Sequence, residues 1–356
     1  MKAVAVLPGR NGSLHVRDVP EPVPAAGEAL VRVLETGVCG TDVDIEKGHF
    51  GDAPPGSDFL ILGHENLGVV ESPAGALSEG DLVVATVRRP CPEACPPCRA
   101  DQSDFCLTGN YTERGIKSRH GFMAERYVES PRYLIPVPPA LRGLGVLYEP
   151  MSVVEKGIDQ TWRIQERLPW EPRRAIVLGA GPIGMLAALV LRLRGLDVVA
   201  CAREPSGNPK DRHLAEAGIR YVSTRETPLE ELGRVAGPAD VVFEATGAPD
   251  VVFPATMLLA PNGVCVLASV TLGDKPVQVD AADWNQHLLI GNRLVFGTVN
   301  AGRHHFEMGG RDLAEAERRW PGWAARLITR RLPVDDARAA LAPAPGNIKT
   351  VVDWAA

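Results

Sequence analysis

Apolar residues in the first part of the chain come in short runs that alternate with polar ones. EALVRVLETGVC, LGVVESPA, GDLVVATV and FMAERYVES are each bounded by Gly, Pro or polar turn residues. A period of two sends successive side chains to opposite faces of a strand, so these runs predict a compact, mostly β domain.

The pattern changes near residue 151. MSVVEKGIDQTWRI has helical spacing. AIVL, LDVVACA, PADVVFEATG, NGVCVLASV and RLVFGTVN are short and almost wholly apolar, and MLAALVLRLR separates the first two as a helix. Fully apolar strands alternating with helices imply a parallel sheet covered on both faces. A charged helix is expected around 312–326, and the apolar strand IKTVVDW is expected to return to the N-terminal domain. The expected division is α/β: a mostly β domain over 1–155, completed by 303–356, and a doubly wound parallel-sheet domain over 156–302.

A length of 356 residues suits two domains of ordinary size. The net charge of −6 argues against a nucleic-acid partner, which calls for a basic face. No apolar run reaches the roughly 18 residues of a membrane helix. The opening MKAVAVLPGRNG is too short for a signal-peptide core and alternates like a strand, so the chain is read as cytoplasmic.

Gly179-Ala-Gly181-Pro182-Ile183-Gly184 follows the strand AIVL and opens the helix MLAALVLRLR. This is the context a dinucleotide fingerprint requires. Gly179 permits the tight turn, Gly181 lets the backbone approach a pyrophosphate, and Gly184 lets helix and strand pack closely. The helix N-terminus offers N–H groups to phosphate. About 20 residues on, where the ribose 2′ position is read, stands Arg203, with Glu204 beside it. An Arg favours a 2′-phosphate and a carboxylate a 2′-hydroxyl. NADP is therefore the expected cofactor, with NAD possible.

Four of the seven cysteines, Cys91, Cys95, Cys98 and Cys106, are separated by three, two and seven residues. Four thiolates spaced this closely wrap a zinc ion tetrahedrally, and four sulfur ligands leave no open position, so such a site is structural. Redox thiols and an iron–sulfur cluster are the alternatives. Cys39 in GVCGTD, His64 and Glu65 in GHEN, and Glu149 in LYEP supply the residue types of a second, open zinc site. Thr41 is either a turn hydroxyl or a hydroxyl near the reacting oxygen. Cys201 and Cys265 sit within apolar strands as core thiols.

GVCGTD, GHE, the four-cysteine lobe, GAGPIG and FEATG occur here in the order found in the zinc-dependent medium-chain dehydrogenase/reductase family, which the chain resembles over its whole length. It most resembles that family's glucose 1-dehydrogenase subgroup, through Asp44 (where alcohol dehydrogenases of the family place a relay His), Glu113 in NYTERGI, Glu149, Asn300 in GTVNAG and Lys349 in GNIKTVVDW. The lobe departs from the usual pattern by one extra residue between its first two cysteines. Val153 stands where some of these enzymes place a sugar-binding Asp.

The resemblance implies a GroES-like catalytic domain and a Rossmann cofactor domain. It implies oxidation of an aldose, D-glucose first, at C1 to the lactone with hydride transfer to NAD(P)+. A polyol, threonine or alcohol dehydrogenase and a non-catalytic NADPH-binding homologue are the alternatives. Two zinc ions per chain are implied. Cys39, His64 and Glu65 would hold the catalytic one, with Glu149 a direct or water-mediated ligand. Thr41, Glu113, Glu149 and Asn300 would contact the sugar. Leu267, Ala268, Ser269, Thr298, Val299 and Asn300 would line the nicotinamide, and Lys349 would approach the cofactor. A homo-oligomer, dimer or tetramer, is implied as well.

Overall fold

The computed structural model describes residues 1–273 and 275–355. It divides into two compact units. The first comprises Met1–Ser152, Asn300–Leu313 and Ala325–Ala356; the second comprises Val153–Val299 and Ala314–Ala324.

The first unit is built on the strand Ala29–Val38, the longest in it. It pairs antiparallel with Glu65–Ser72 on one side and with Lys349–Asp353 on the other. The C-terminal strand thus returns to the N-terminal sheet, as its apolar pattern suggests. Val31, Val33, Val70, Val83, Phe122 and Leu134 pack one face of this sheet. A second cluster joins Val4, Val6, Ile45, Leu60 and Met123. Full burial of each such side chain contributes about 1.5–3 kcal/mol. The antiparallel geometry has a functional consequence: the end of Ala29–Val38 lies beside the starts of both its neighbours.

The second unit holds a six-stranded sheet, parallel at every pairing. Its order is Arg220–Ser223, Asp197–Ala202, Arg174–Leu178, Ala239–Glu244, Leu259–Leu267, Leu294–Gly297. The order reverses direction outward from Arg174–Leu178, which is the doubly wound arrangement and places the binding crevice at that strand's carboxyl end. Cys201 and Cys265 lie in its apolar core. Burial pushes both thiols upward, Cys201 to about 12.

The charged helix near the C-terminus runs over Arg303–Arg319, starting and ending earlier than the periodicity predicts. Gly309 and Gly310 mask its first half in the sequence, because glycine disfavours helix interiors. Packing demands them. A Cβ at Gly309 would come within 2.9 Å of Met151, and one at Gly310 within 2.7 Å of Tyr148. Among the described residues no helix is long and apolar enough to cross a membrane.

Candidate active site

Cys39 follows directly on the central strand and precedes the short helix Gly40–Glu46. Its backbone N–H donates to Asp42 Oδ2 at 2.9 Å, so the carboxylate in the helix's first turn closes the Cys39 turn. The other oxygen, Oδ1, accepts from Gly63 N at 3.2 Å and faces His64 Nδ1 at 3.6 Å. One buried carboxylate thereby fixes two loops that are distant in sequence. Burial opposes charge on His64, but Asp42 outweighs it and holds the imidazole well above the ordinary histidine range. Asp42 is itself held below the usual carboxylate range, His64 overcoming the effect of burial. With Nδ1 turned to Asp42, Nε2 is the nitrogen left for a metal.

Glu65 stands opposite Gly37 in the register of the two strands. The strand Lys349–Asp353 brings Lys349 to the same end of the sheet, and its ammonium pairs with Glu65 Oε2. Lys349 Nζ also donates to the Val38 carbonyl at 3.0 Å. Burial works against its charge, and Glu65 overcomes it, so the lysine stays above its usual value.

The donor atoms of Cys39, His64 and Glu65 all lie within 4.8 Å of one another. A thiol, an imidazole and a carboxylate at this spacing fit a zinc ion with room for a further ligand. Glu149 lies outside this set. It keeps part of its surface exposed, while burial of its carboxyl, the largest influence, pushes it up to about 7. Thr41 Oγ1 is 3.8 Å from Cys39 Sγ. Asp44 faces His49 Nδ1 at 3.7 Å, on the exposed side of the helix.

Cys91, Cys95, Cys98 and Cys106 also gather their sulfurs within 4.8 Å. All four are free thiols. The Cys95 and Cys106 sulfurs are 3.9 Å apart; two ligands of a tetrahedron with 2.3 Å arms stand about 3.8 Å apart. Backbone N–H groups of Cys95 and Leu107 point at Cys91 Sγ and Cys95 Sγ, both at 3.5 Å, which suits thiolates. The set fits a closed zinc site. The extra residue between the first two cysteines is absorbed in a turn containing Ala94 at φ +48°.

Glu113 and Asn300, 187 residues apart, meet in the first unit: Asn300 Nδ2 donates to Glu113 Oε1 at 3.0 Å. Both are buried. Arg88 completes this cluster and was not legible in the sequence, where VRRP reads as a charged strand end. Asp42 was equally missed. Its signal was a carboxylate three residues after Cys39, the spacing of a helix cap.

In the second unit, Gly179 has φ +105°, and a Cβ on Gly184 would stand 2.0 Å from the Gly179 carbonyl oxygen. The helix Pro182–Leu193 has no side-chain cap, so its first-turn N–H groups remain for an anion. Space beside Gly181 is open. Arg203 is exposed beyond the next strand. Lys210 Nζ donates to Glu204 Oε1 at 2.5 Å, so the carboxylate beside Arg203 is paired with a cation. Burial would raise Glu204, but Lys210 outweighs it and lowers it. At the carboxyl ends of the neighbouring strands, Glu244 takes donors from Thr246 and Ser269, and the Thr298 N–H donates to the Leu267 carbonyl at 3.0 Å. Thr298 Oγ1 is buried without a partner. A glycine cradle and an orphaned hydroxyl fit a dinucleotide.

Known proteins match this chain along its whole length. The family description "Glucose dehydrogenase C-terminus" matches residues 142–354, and "Alcohol dehydrogenase GroES-like domain" matches residues 25–139. The chain is 49% identical to the glucose 1-dehydrogenase of Methanocella arvoryzae, with 99% of each chain covered. It is 42% identical to that of Thermoproteus tenax, again with 99% of each covered. The glucose dehydrogenase of Haloferax mediterranei, solved in complex with NADP, Zn and gluconolactone, superposes with a TM-score of 0.92 at 35% identity, covering 100% of both chains. The chain therefore belongs to the glucose dehydrogenases of the zinc-dependent medium-chain dehydrogenase/reductase family.

Proposed function

We infer that the protein is a zinc-dependent glucose 1-dehydrogenase, oxidising D-glucose at C1 to the lactone with NADP+ as hydride acceptor. The observation that carries this reading is a metal donor set of Cys39, His64 and Glu65 in the same unit as a buried Glu113–Asn300 pair, in a chain matched end to end by glucose 1-dehydrogenases.

Cys39, His64 and Glu65 would hold the catalytic zinc, with Glu149 joining directly or through a water. The four lobe cysteines would hold the structural one. When bound, zinc supplies a Lewis acid at the C1 hydroxyl and NADP+ supplies the hydride acceptor. The protein's own contribution is positioning and proton handling. Glu113 and Asn300 accept and donate hydrogen bonds to sugar hydroxyls and so fix which carbon is presented. Thr41 relays the proton of the C1 hydroxyl: as it accepts that proton it gives its own hydroxyl proton to a water or a carboxylate, which carries it outward. Asp42 keeps His64 oriented and its Nε2 available.

For the cofactor, the turn of Gly179, Gly181, Pro182, Ile183 and Gly184 would receive the pyrophosphate. Arg203 would meet the 2′-phosphate, with Glu204 kept out of its way by Lys210. Leu267, Ala268, Ser269, Thr298, Val299 and Asn300 would line the nicotinamide, and Lys349 would stand near it. A homo-oligomer is supported by the helix Ala281–Ile290, which exposes Leu289 and Ile290 at 69% and 73%. A cytoplasmic setting is supported by seven free cysteines.

A substrate panel tests the reading: aldoses, polyols and amino alcohols, each with NAD+ and NADP+. Glucose with NADP+ should give the highest kcat/KM. A polyol or threonine ahead of every aldose would replace glucose oxidation with a sister activity of the same family.

A further inference from the structure

Glu113 commits one carboxylate oxygen to the protein. Its Oε1 accepts from Arg88 Nε at 3.0 Å and from Asn300 Nδ2 at 3.0 Å, and Arg88 Nη2 forms an ion pair with the same oxygen at 2.9 Å. None of these three nitrogens is paired with Oε2. Arg88 and Glu113 face each other directly in the register of Arg88–Arg89 against Thr112–Arg114. The remaining arginine nitrogen, Nη1, donates to the Asp104 carbonyl at 3.2 Å. Asp104 lies in the short turn Ser103–Phe105, directly ahead of Cys106. The guanidinium lies over the Tyr111 ring, 3.7 Å from its centroid. Arg88 and Glu113 are only 6% and 8% exposed.

This arrangement exceeds simple charge neutralisation. Two hydrogen bonds and an ion pair converging on one oxygen set the rotation of the carboxylate and leave its second oxygen as an aimed acceptor. A planar guanidinium can place two donors on that oxygen and still anchor itself through the third nitrogen and a ring face; an ammonium cannot. The third nitrogen reaches the backbone of the four-cysteine lobe, so the lobe serves as the abutment against which the fork is braced.

We propose that Arg88 is the positioning residue for sugar recognition, aiming Glu113 Oε2 at a substrate hydroxyl and coupling that aim to the cysteine lobe. The proposal rests on the assignment of Glu113 to the sugar site. It makes Arg88 a determinant of KM for the sugar, not of hydride transfer or of cofactor binding.

The test uses the zinc-loaded enzyme and the variants Arg88→Lys, Glu113→Gln and the double variant. Arg88→Lys keeps the charge and loses the fork. It should raise KM for glucose roughly tenfold, leave kcat within about twofold and leave KM for NADP+ unchanged. Glu113→Gln should raise KM for glucose too, and adding Arg88→Lys to it should change little further, because both act through one carboxylate. Stabilisation of the enzyme by glucose in thermal melts should shrink in Arg88→Lys, while stabilisation by NADP+ persists. Tyr111→Leu removes the surface under the guanidinium without touching the buried pair, and should shift KM for glucose in the same direction by less. It keeps the proposal testable should Arg88→Lys fold poorly. A Glu113→Gln effect with unchanged KM for glucose in both Arg88→Lys and Tyr111→Leu overturns the role of Arg88 alone. So do additive effects in the double variant, or equal damage to KM for NADP+. Unchanged KM in Glu113→Gln overturns the sugar-site assignment itself, and the proposal with it.

Discussion

Lys349 and Glu65 bury their opposite charges against each other, each side chain only 1% exposed. Their strands flank the same central strand from opposite sides, and both begin where it ends. Removing one partner leaves a buried charge uncompensated, at a cost of about 3–5 kcal/mol. In chelator-treated protein, Lys349→Met should lower the unfolding free energy by about 3 kcal/mol in urea melts. Adding Glu65→Gln should recover most of that loss. Additive losses would mean that the two charges do not act as one unit.

The two metal sets should separate cleanly by mutation. Native protein should carry about two zinc ions per chain, counting ligand sets. Cys98→Ser should lose the lobe's ion and lower Tm, since a closed metal site couples binding to folding. Cys39→Ser should lose the other ion and abolish turnover, while cofactor binding by fluorescence titration stays nearly intact. Metal content by elemental analysis, beside Tm and kcat, distinguishes the two. Loss of both ions in either variant would contradict independent sites.

Glu129 offers a pH prediction at a buried carboxylate paired with arginines. It is buried, which raises a carboxyl, but Arg114 and Arg89 outweigh burial and hold it down to about 2. Arg114 donates to its Oε2 from Nε at 3.1 Å and from Nη2 at 2.8 Å. The folded value lies below the unfolded one, so the ionised carboxylate stabilises the fold above the unfolded value. That contribution is lost as pH falls from about 4.5 towards 2. The stability difference between wild type and Glu129→Gln should contain a pH-dependent part of about 3 kcal/mol at pH 6, falling to about half at pH 3. A difference that stays flat between those pH values would rule out the depressed carboxylate.

Cofactor choice should turn on Lys210. It pairs with the carboxylate of Glu204, next to Arg203 in the proposed 2′ site, where a free acid would bind a 2′-hydroxyl and repel a 2′-phosphate. Lys210→Gln releases that acid and should shift the ratio of kcat/KM for NADP+ over NAD+ towards NAD+ by about tenfold, the scale of one charged contact. Glu204→Gln should move the ratio the other way or leave it unchanged. An increased preference for NADP+ in Lys210→Gln would contradict this arrangement.

What the sequence disclosed depended on how local each feature is. The dinucleotide turn occupies one strand, six residues and the start of one helix, so motif and context can be read together. The cysteine lobe spans sixteen positions, and its spacing alone suggests four ligands. The Glu65–Lys349 pair was hidden because it needs the register of three strands, one of which arrives from the far end of the chain. Arg88 was hidden for the same reason: its partners lie 16 and 25 residues away, and Asn300 completes the cluster from 187 residues beyond Glu113. The helix Arg303–Arg319 was misjudged because a glycine pair required by packing looks like a helix breaker in one dimension.

The most direct test of zinc-dependent glucose oxidation is turnover of D-glucose with NADP+ before and after removal of metal, with the product identified by NMR. The reading predicts lactone formation by the loaded enzyme, loss of turnover on chelation, and recovery when zinc is returned. Undiminished turnover in fully zinc-free protein, or a product oxidised elsewhere than C1, would contradict it.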